Sequence, residues 1–147
     1  MKNNNIAIIP ARGGSKRIIN KNIVDFNGFP MIYWTIKAAK DSGLFNEIIV
    51  STDSLLISEI AEQFGARVIF RDEFYDDYSP VSLATLHTLE KIELIDKITY
   101  DNVFQLMANC PLRNGQDIIT QYEFFKNDMK KSVISSFRYG MFNPLWE

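Results

Sequence analysis

Short, isoleucine-rich runs alternate with segments of helical period along almost the whole chain, and that alternation constrains the fold more than any other feature. Asn5–Ile9 is apolar and reads as a buried strand of the parallel-sheet kind. Asp25–Gly28 marks a turn, and Pro30 suits the first position of a helix. From Met31 to Ser42, Ile32, Ile36 and Ala39 recur at helical spacing, with Gly43 as the stop. Glu47–Ser51 is a second strand. Thr52, Asp53 and Ser54 are capping types ahead of a helix whose Leu56, Ile60 and Phe64 share a stripe, ended by Gly65. Arg67–Phe70 is a third strand, followed by an acidic loop, Arg71–Tyr78. Ser79-Pro80 opens a helix to about Ile95, and Asn102–Met107 is a fourth strand. Asn114 and Asp117 form a capping-box pattern before a helix that buries Ile118, Tyr122 and Phe125, and Ser132–Phe137 is a fifth strand. Five strands separated by four helices predict right-handed crossovers and a mostly parallel α/β sheet covered on both faces. Ligands of such sheets bind at the carboxyl ends of the strands, which selects the loops after Ile9, Val50 and Met107.

Composition narrows the function. With 147 residues, 46% of them hydrophobic and 23% charged, the chain has the make-up of one globular domain rather than a disordered or fibrous one. One cysteine and one histidine exclude a disulfide framework and a His/Cys zinc site, so any metal would need oxygen ligands. The net charge of −2 hides a split. Residues 1–24 carry five of the 16 basic side chains (Lys2, Arg12, Lys16, Arg17, Lys21) and no acid, leaving 11 basic against all 18 acidic ones in the remainder. A cationic head on an anionic body points to a local anion site rather than a nucleic-acid surface. The apolar run Ile6–Ile9 is too short for a signal peptide, and no stretch approaches a membrane span, so a cytoplasmic protein is expected.

The strongest chemical signal is Pro10-Ala11-Arg12-Gly13-Gly14-Ser15-Lys16-Arg17, with Lys21-Asn22 behind it, directly after the first strand. Two glycines predict a tight turn whose N–H groups point inward as an anion-holding nest. Arg12, Lys16 and Lys21 add charge suited to several phosphates. Neither the P-loop pattern G-x-x-x-x-G-K-S/T nor the dinucleotide pattern G-x-G-x-x-G is present.

IAIIPARGGSKRIINKNI, GFPMIYWTIKAA, IIVSTDS and LMANCPLR, in this order and spacing, resemble the cytidylyltransferases that activate acidic nine-carbon sugars: the acylneuraminate family and its pseudaminic and legionaminic acid relatives. The resemblance runs from Asn5 to about Trp146. It implies a three-layer α/β/α Rossmann-like fold of the nucleotide-diphospho-sugar transferase type. It implies transfer of CMP from CTP to an acylneuraminate or other nonulosonic acid with release of pyrophosphate, in cell-surface glycan synthesis, with magnesium as cofactor and a homodimer as the assembly. Arg12, Lys16 and Lys21 match the catalytic positions. Ala11, Gly13, Gly14, Ser15, Asn22 and Arg71 match the remaining nucleotide-binding ones, with the Ala11 backbone, Asn22 and Arg71 near cytosine and ribose. Ser82 is a further candidate, for which Ser79 could substitute. Gln105 falls on the sugar side, although anchoring on Pro111-Leu112-Arg113 puts Leu106 there instead.

Two departures from the family pattern matter. Asn109-Cys110 stands where relatives commonly have Thr-Ser, which suggests a different sugar of pseudaminic type. Relatives are also roughly half as long again, and their final third carries an aspartate pair for the metal, so this chain reads as a domain shortened at its C-terminus, with no metal ligand of its own assigned. A CTP-binding but inactive homologue or assembly partner is the alternative. A molybdenum-cofactor or sugar-1-phosphate nucleotidyltransferase would open with a different glycine pattern. Asp53 reads as a helix cap rather than a metal ligand, and Asp72, Glu73, Asp76 and Asp77 as a solvated acidic run. His87 reads as structural, Cys110 as a packing residue, and Trp34 and Trp146 as core or interface aromatics.

Overall fold

All six residues of the first apolar run are buried, which requires a strand paired on both edges and covered on both faces. The computed structural model describes residues 3–15, 18–74, 76, 78–127 and 132–136. Its elements run β1 (Asn5–Pro10), a 3-10 turn (Lys21–Ile23), β2 (Asp25–Phe26), β3 (Phe29–Pro30), α1 (Met31–Ser42), β4 (Glu47–Thr52), α2 (Leu55–Gln63), β5 (Arg67–Phe70), α3 (Val81–Asp96), β6 (Asn102–Gln105) and α4 (Gly115–Asn127). β1 pairs in parallel with β4 on one side and with β6 on the other, and the sheet order is β5-β4-β1-β6. The alternation of strands and helices therefore gives the expected parallel sheet.

Side-chain alternation along β1 divides the core. Ala7 and Ile9 pack with Ile32 and Ile36 of α1, Ile57 and Ala61 of α2, and Ile118 of α4. Ile6 and Ile8 face the other way, toward Ile49, Ile69 and Ile92 of α3. Among the described residues three helices cover one face and one helix the other, a three-layer arrangement in which β1 is dry on both faces while Val103 of β6 stays 40% exposed on the α3 side.

Local chemistry explains where most elements begin and end. α1 follows Pro30 and stops at Gly43, whose left-handed backbone (φ 62°) lets its N–H reach the Lys40 carbonyl. Asn27 and Gly28 both have positive φ (54° and 84°), which is what a two-residue hairpin between β2 and β3 requires. At α4 the capping box forms as read: Asn114 N–H donates to Asp117 at 2.9 Å, and Asp117 N–H returns to Asn114 Oδ1 at 3.0 Å.

Three sequence expectations need correction. Residues 132–136 of the expected strand Ser132–Phe137 carry no strand pairing, and Ile134 is 88% exposed. A strand without a neighbour gains neither ladder hydrogen bonds nor burial. Phe137 and Trp146 lie outside the described residues. β6 ends at Gln105, with only Leu106 N–H continuing the ladder to Ile8. In α2 the most buried residues are Ile57, Ser58 and Ala61, whereas Leu56 is exposed. Small Ser58 and Ala61 let the helix sit close to the sheet, so Ile60 and Phe64 pack from its flank. Among the described residues no helix is long and apolar enough to cross a membrane.

Candidate nucleotide site

Strand order reverses at β1: the chain first builds β4 and β5 on one side, then crosses to β6 on the other. The carboxyl ends around that reversal frame a cleft of about 210 Å³. The loop after β1 contributes Pro10, Arg12 and Ser15, and the 3-10 turn contributes Lys21 and Asn22. The segment after β5 contributes Arg71, Phe74, Asp76 and Ser79, and the loop after β6 contributes Met107, Ala108 and Asn109. The expected lining from the loop after β4 is replaced by the one after β5. The β4 loop stands behind, where its Asp53 touches the glycine segment.

That glycine segment is held from several directions. Ala11 N–H donates to the Ser51 carbonyl at 2.9 Å, and Asn22 Nδ2 donates to the Arg12 carbonyl at 3.0 Å. Gly13 N–H donates to Asp53 Oδ1 at 2.8 Å, and Ser15 N–H to the Gly13 carbonyl at 2.9 Å. The inward-pointing nest expected from Gly13-Gly14 is therefore not what forms, because Gly13 and Ser15 spend their N–H groups within the fold. Gly13 is required for space rather than for turning: a Cβ there would lie 3.0 Å from Ser54 Cβ, while the described glycines with positive φ are Gly28, Gly43 and Gly65. Gly14 has open space around its Cα. Ser54, not Asp53, caps α2, its hydroxyl accepting from Ile57 N–H.

Cations from three segments meet at the cleft: Arg12, Lys21 and Arg71. Arg71 is 6% exposed, its N–H donates to the Thr52 carbonyl at 2.8 Å, and its Nη1 donates to the Phe74 carbonyl. Phe74 takes a left-handed backbone (φ 56°), a strained conformation for a bulky residue and one typical of functional sites. Arg71 Nε is buried without a hydrogen-bond partner. Burial pushes the guanidinium below its usual value, opposed by the charge of Asp53 and reinforced by that of Arg12. It stays protonated, as guanidinium groups in proteins do.

The remaining expected site residues are dispersed. Lys16 and Arg17 lie outside the described residues. Ser79 lines the cleft, whereas Ser82 is exposed on the first turn of α3 and is not part of the lining. Gln105 Oε1 accepts from Thr85 Oγ1 at 2.8 Å on the α3 side of the sheet, also away from the lining. Leu106 is buried at 5% exposure. Phe74, Asp76, Val81, Met107 and Ala108 also line the cleft; for Met107 and Ala108 the position just past a strand end is the available signal. Cys110 is a half-buried free thiol. His87 packs its ring edge-on to Phe74 at 5.6 Å, with Nδ1 buried. Trp34 donates through Nε1 to the Phe26 carbonyl at 2.9 Å, inside an aromatic cluster with Phe29 and Tyr33.

The described acidic side chains near the cleft are engaged within the fold. Asp76 accepts from Tyr78 N–H, Ser79 N–H and, at 2.6 Å, Ser79 Oγ, and these bonds hold its carboxyl down at about 2. Asp72 pairs with Lys91 at 2.8 Å, and Asp53 holds Gly13. Asp77 lies outside the described residues. Among the described residues no three His, Cys, Asp or Glu side chains converge.

A family model described as cytidylyltransferase matches residues 6–136, and the chain belongs to that family. A pseudaminic acid cytidylyltransferase of Campylobacter jejuni is 42% identical over 135 residues, covering 90% of this chain and 57% of that protein. A CMP-N,N'-diacetyllegionaminic acid synthase of Legionella pneumophila is 38% identical over 132 residues, covering 88% of this chain and 56% of that one. Among solved structures, a CMP:2-keto-3-deoxy-manno-octonic acid synthetase complexed with CTP matches with a TM-score of 0.68 at 24% identity, over 86% of this chain and 48% of that one. That likeness establishes the shared nucleotidyltransferase fold. The chain spans 57% of the length of the pseudaminic acid cytidylyltransferase and 56% of the legionaminic acid synthase.

Proposed function

We propose that the cleft binds CTP and that the chain is the nucleotide-binding part of an enzyme transferring CMP to a nonulosonic acid of the pseudaminic type. The observation that carries this reading is the meeting of Arg12, Lys21 and Arg71, from three separate segments, in one cleft at the strand-order reversal. Several cations at one site match the charge of a triphosphate.

In the proposed reaction the anomeric hydroxyl of the sugar acid attacks the α-phosphorus of CTP. The bond to the β-phosphate oxygen breaks, pyrophosphate leaves with the electron pair, and the hydroxyl proton is released. Little covalent work falls to the protein, so positioning and charge neutralisation dominate. Arg12 and Lys21, with Lys16 beside them in sequence, neutralise the triphosphate, and Ser15 contributes a hydroxyl. Arg71 and Asn22 serve the cytosine and ribose end together with the Ala11 backbone, whose carbonyl side remains for the base because its N–H is given to Ser51. Ser79 fits the nucleotide role better than Ser82, since it borders the cleft. Gln105 is assigned to the sugar side on resemblance alone. The pseudaminic preference draws on Asn109-Cys110 and on the Campylobacter relative. Surface-glycan synthesis, a cytoplasmic setting, a homodimer and a magnesium requirement belong to the same proposal.

The test is calorimetric titration with CTP, then a pyrophosphate-release assay with CTP, magnesium and pseudaminic, legionaminic or N-acetylneuraminic acid. Binding and release with the pseudaminic substrate are expected. Binding without release from any of the three sugars favours a CTP-binding homologue without turnover, and no binding overturns both readings.

A further inference from the structure

Between the phosphate-side loop and the buried arginine stands one carboxylate that no part of the proposed reaction uses. Asp53 lies between β4 and α2, behind the cleft and not on its lining. Its Oδ1 accepts the Gly13 N–H at 2.8 Å, one residue past Arg12. The two loops approach closely here, since a Cβ on Gly13 would lie 3.0 Å from Ser54 Cβ. The β4 end also holds the same loop and the segment after β5 through its backbone: Ser51 carbonyl takes Ala11 N–H at 2.9 Å, and Thr52 carbonyl takes Arg71 N–H at 2.8 Å. Three successive residues, Ser51, Thr52 and Asp53, thus tie the loop after β1 and the segment after β5 to one strand end. The first two use backbone carbonyls, which any side chain at those positions would supply. Asp53 alone does it through a side chain.

We infer that Asp53 is a positioning residue for CTP: by accepting the Gly13 N–H it fixes the peptide that follows Arg12 and so sets the direction of the Arg12 side chain into the cleft. The inference rests on the CTP reading above. Because this acceptor is supplied from within the fold, the loop is held before the nucleotide arrives rather than ordered by it. Asp53 also offsets part of the repulsion between Arg12 and Arg71, a secondary effect because solvent screens a half-exposed carboxylate.

Calorimetry with CTP on the wild-type protein, Asp53→Ala and Asp53→Asn tests this, with the thermal midpoint of each unliganded protein as control. Asp53→Ala removes the acceptor and is expected to weaken CTP binding by at least about fivefold, with faster hydrogen exchange at the Gly13 amide. Asp53→Asn keeps an oxygen at the same reach and is expected to stay within about twofold of wild type, a rescue that a loss of general stability would not produce. Should Asp53→Ala not fold, Asp53→Glu carries the test, because it keeps the charge but moves the oxygens one methylene outward; the same weakening is expected. Wild-type affinity in the Ala or the Glu protein overturns the inference, as does an Asn protein as weak as Ala. Failure of the wild-type protein to bind CTP overturns the nucleotide reading instead.

Discussion

Single side chains at the cleft fall into two groups, those aimed at a ligand and those that hold the first group in place. Arg12 and Lys21 belong to the first. Arg12→Ala and Lys21→Ala are each expected to weaken CTP binding by at least about 1 kcal/mol in calorimetry, the value of a charged hydrogen bond. Unchanged affinity in both would show that the basic loop is not the phosphate cradle. Asn22 and Asp53 belong to the second group, with Asn22 donating to the Arg12 carbonyl and Asp53 accepting from Gly13. Asp76 closes the turn before α3, and its sign of pH dependence follows from its depressed carboxyl. A carboxyl at about 2 in the fold, against 3.8 for the free group, favours the folded state above about 3.8 and loses that contribution as pH falls toward about 2. Chemical-shift titration of the Tyr78 and Ser79 amides should show a midpoint near 2, moving back toward 3.8 in Ser79→Ala because the Ser79 hydroxyl is the largest cause of the shift. The basic residues were legible in the sequence because charge next to glycine after an apolar strand is a local pattern. Asp53 was misread as a cap because its partner, Gly13, lies 40 positions away in the chain.

Helix and strand ends were legible wherever a residue type acts on its own neighbours. Gly43 ends α1 and Asn114 with Asp117 opens α4, as the sequence predicts, whereas Pro30 stands one place before the expected first helical position, at the N-cap and with extended backbone (ψ 141°). Ser132–Phe137 was read as a strand from its apolar character, but strand formation depends on a neighbour that local sequence does not reveal. The phase of α2 was missed for a similar reason, since Ser58 and Ala61 win the sheet-facing positions by being small. Gly115 shows the same long-range logic in reverse. A Cβ there would lie 2.8 Å from Ser42 N and 2.9 Å from the Asp41 carbonyl carbon, both backbone atoms that cannot swing aside. Gly115→Ala should therefore push α4 away from the end of α1 and destabilise the protein by about 1–3 kcal/mol in chemical denaturation, although the same change on an exposed helix would stabilise it. A Gly115→Ala protein as stable as wild type would mean that the two helices can separate freely.

At the scale of the molecule, charge is divided along the chain: five basic residues and no acid stand ahead of Asp25 in a chain of net charge −2, and Arg12 and Lys21 of that set line the cleft. Raising salt from 0.1 M to 1 M shortens the screening length from about 10 Å to about 3 Å. CTP affinity should fall by roughly tenfold or more over that range while the unliganded thermal midpoint changes little, because the core is built from isoleucine and alanine rather than ion pairs. Salt-independent affinity would argue against a charge-based cradle. The central place of β1 has a consequence for how the protein is made. β1 is made before every other described element, yet its second neighbour, β6, does not exist until residues 102–105 have been synthesised. Until then Ile6–Ile9 has no complete partner set, and an apolar strand edge waits in a nascent chain. Parallel pairing at such separation is slow, and an edge left open is where chains stick to one another. Growing polypeptides of this protein should therefore need chaperone protection until β6 has been made, and the nucleotide cleft, which hangs from the end of the same strand, is completed only when β6 closes beside it.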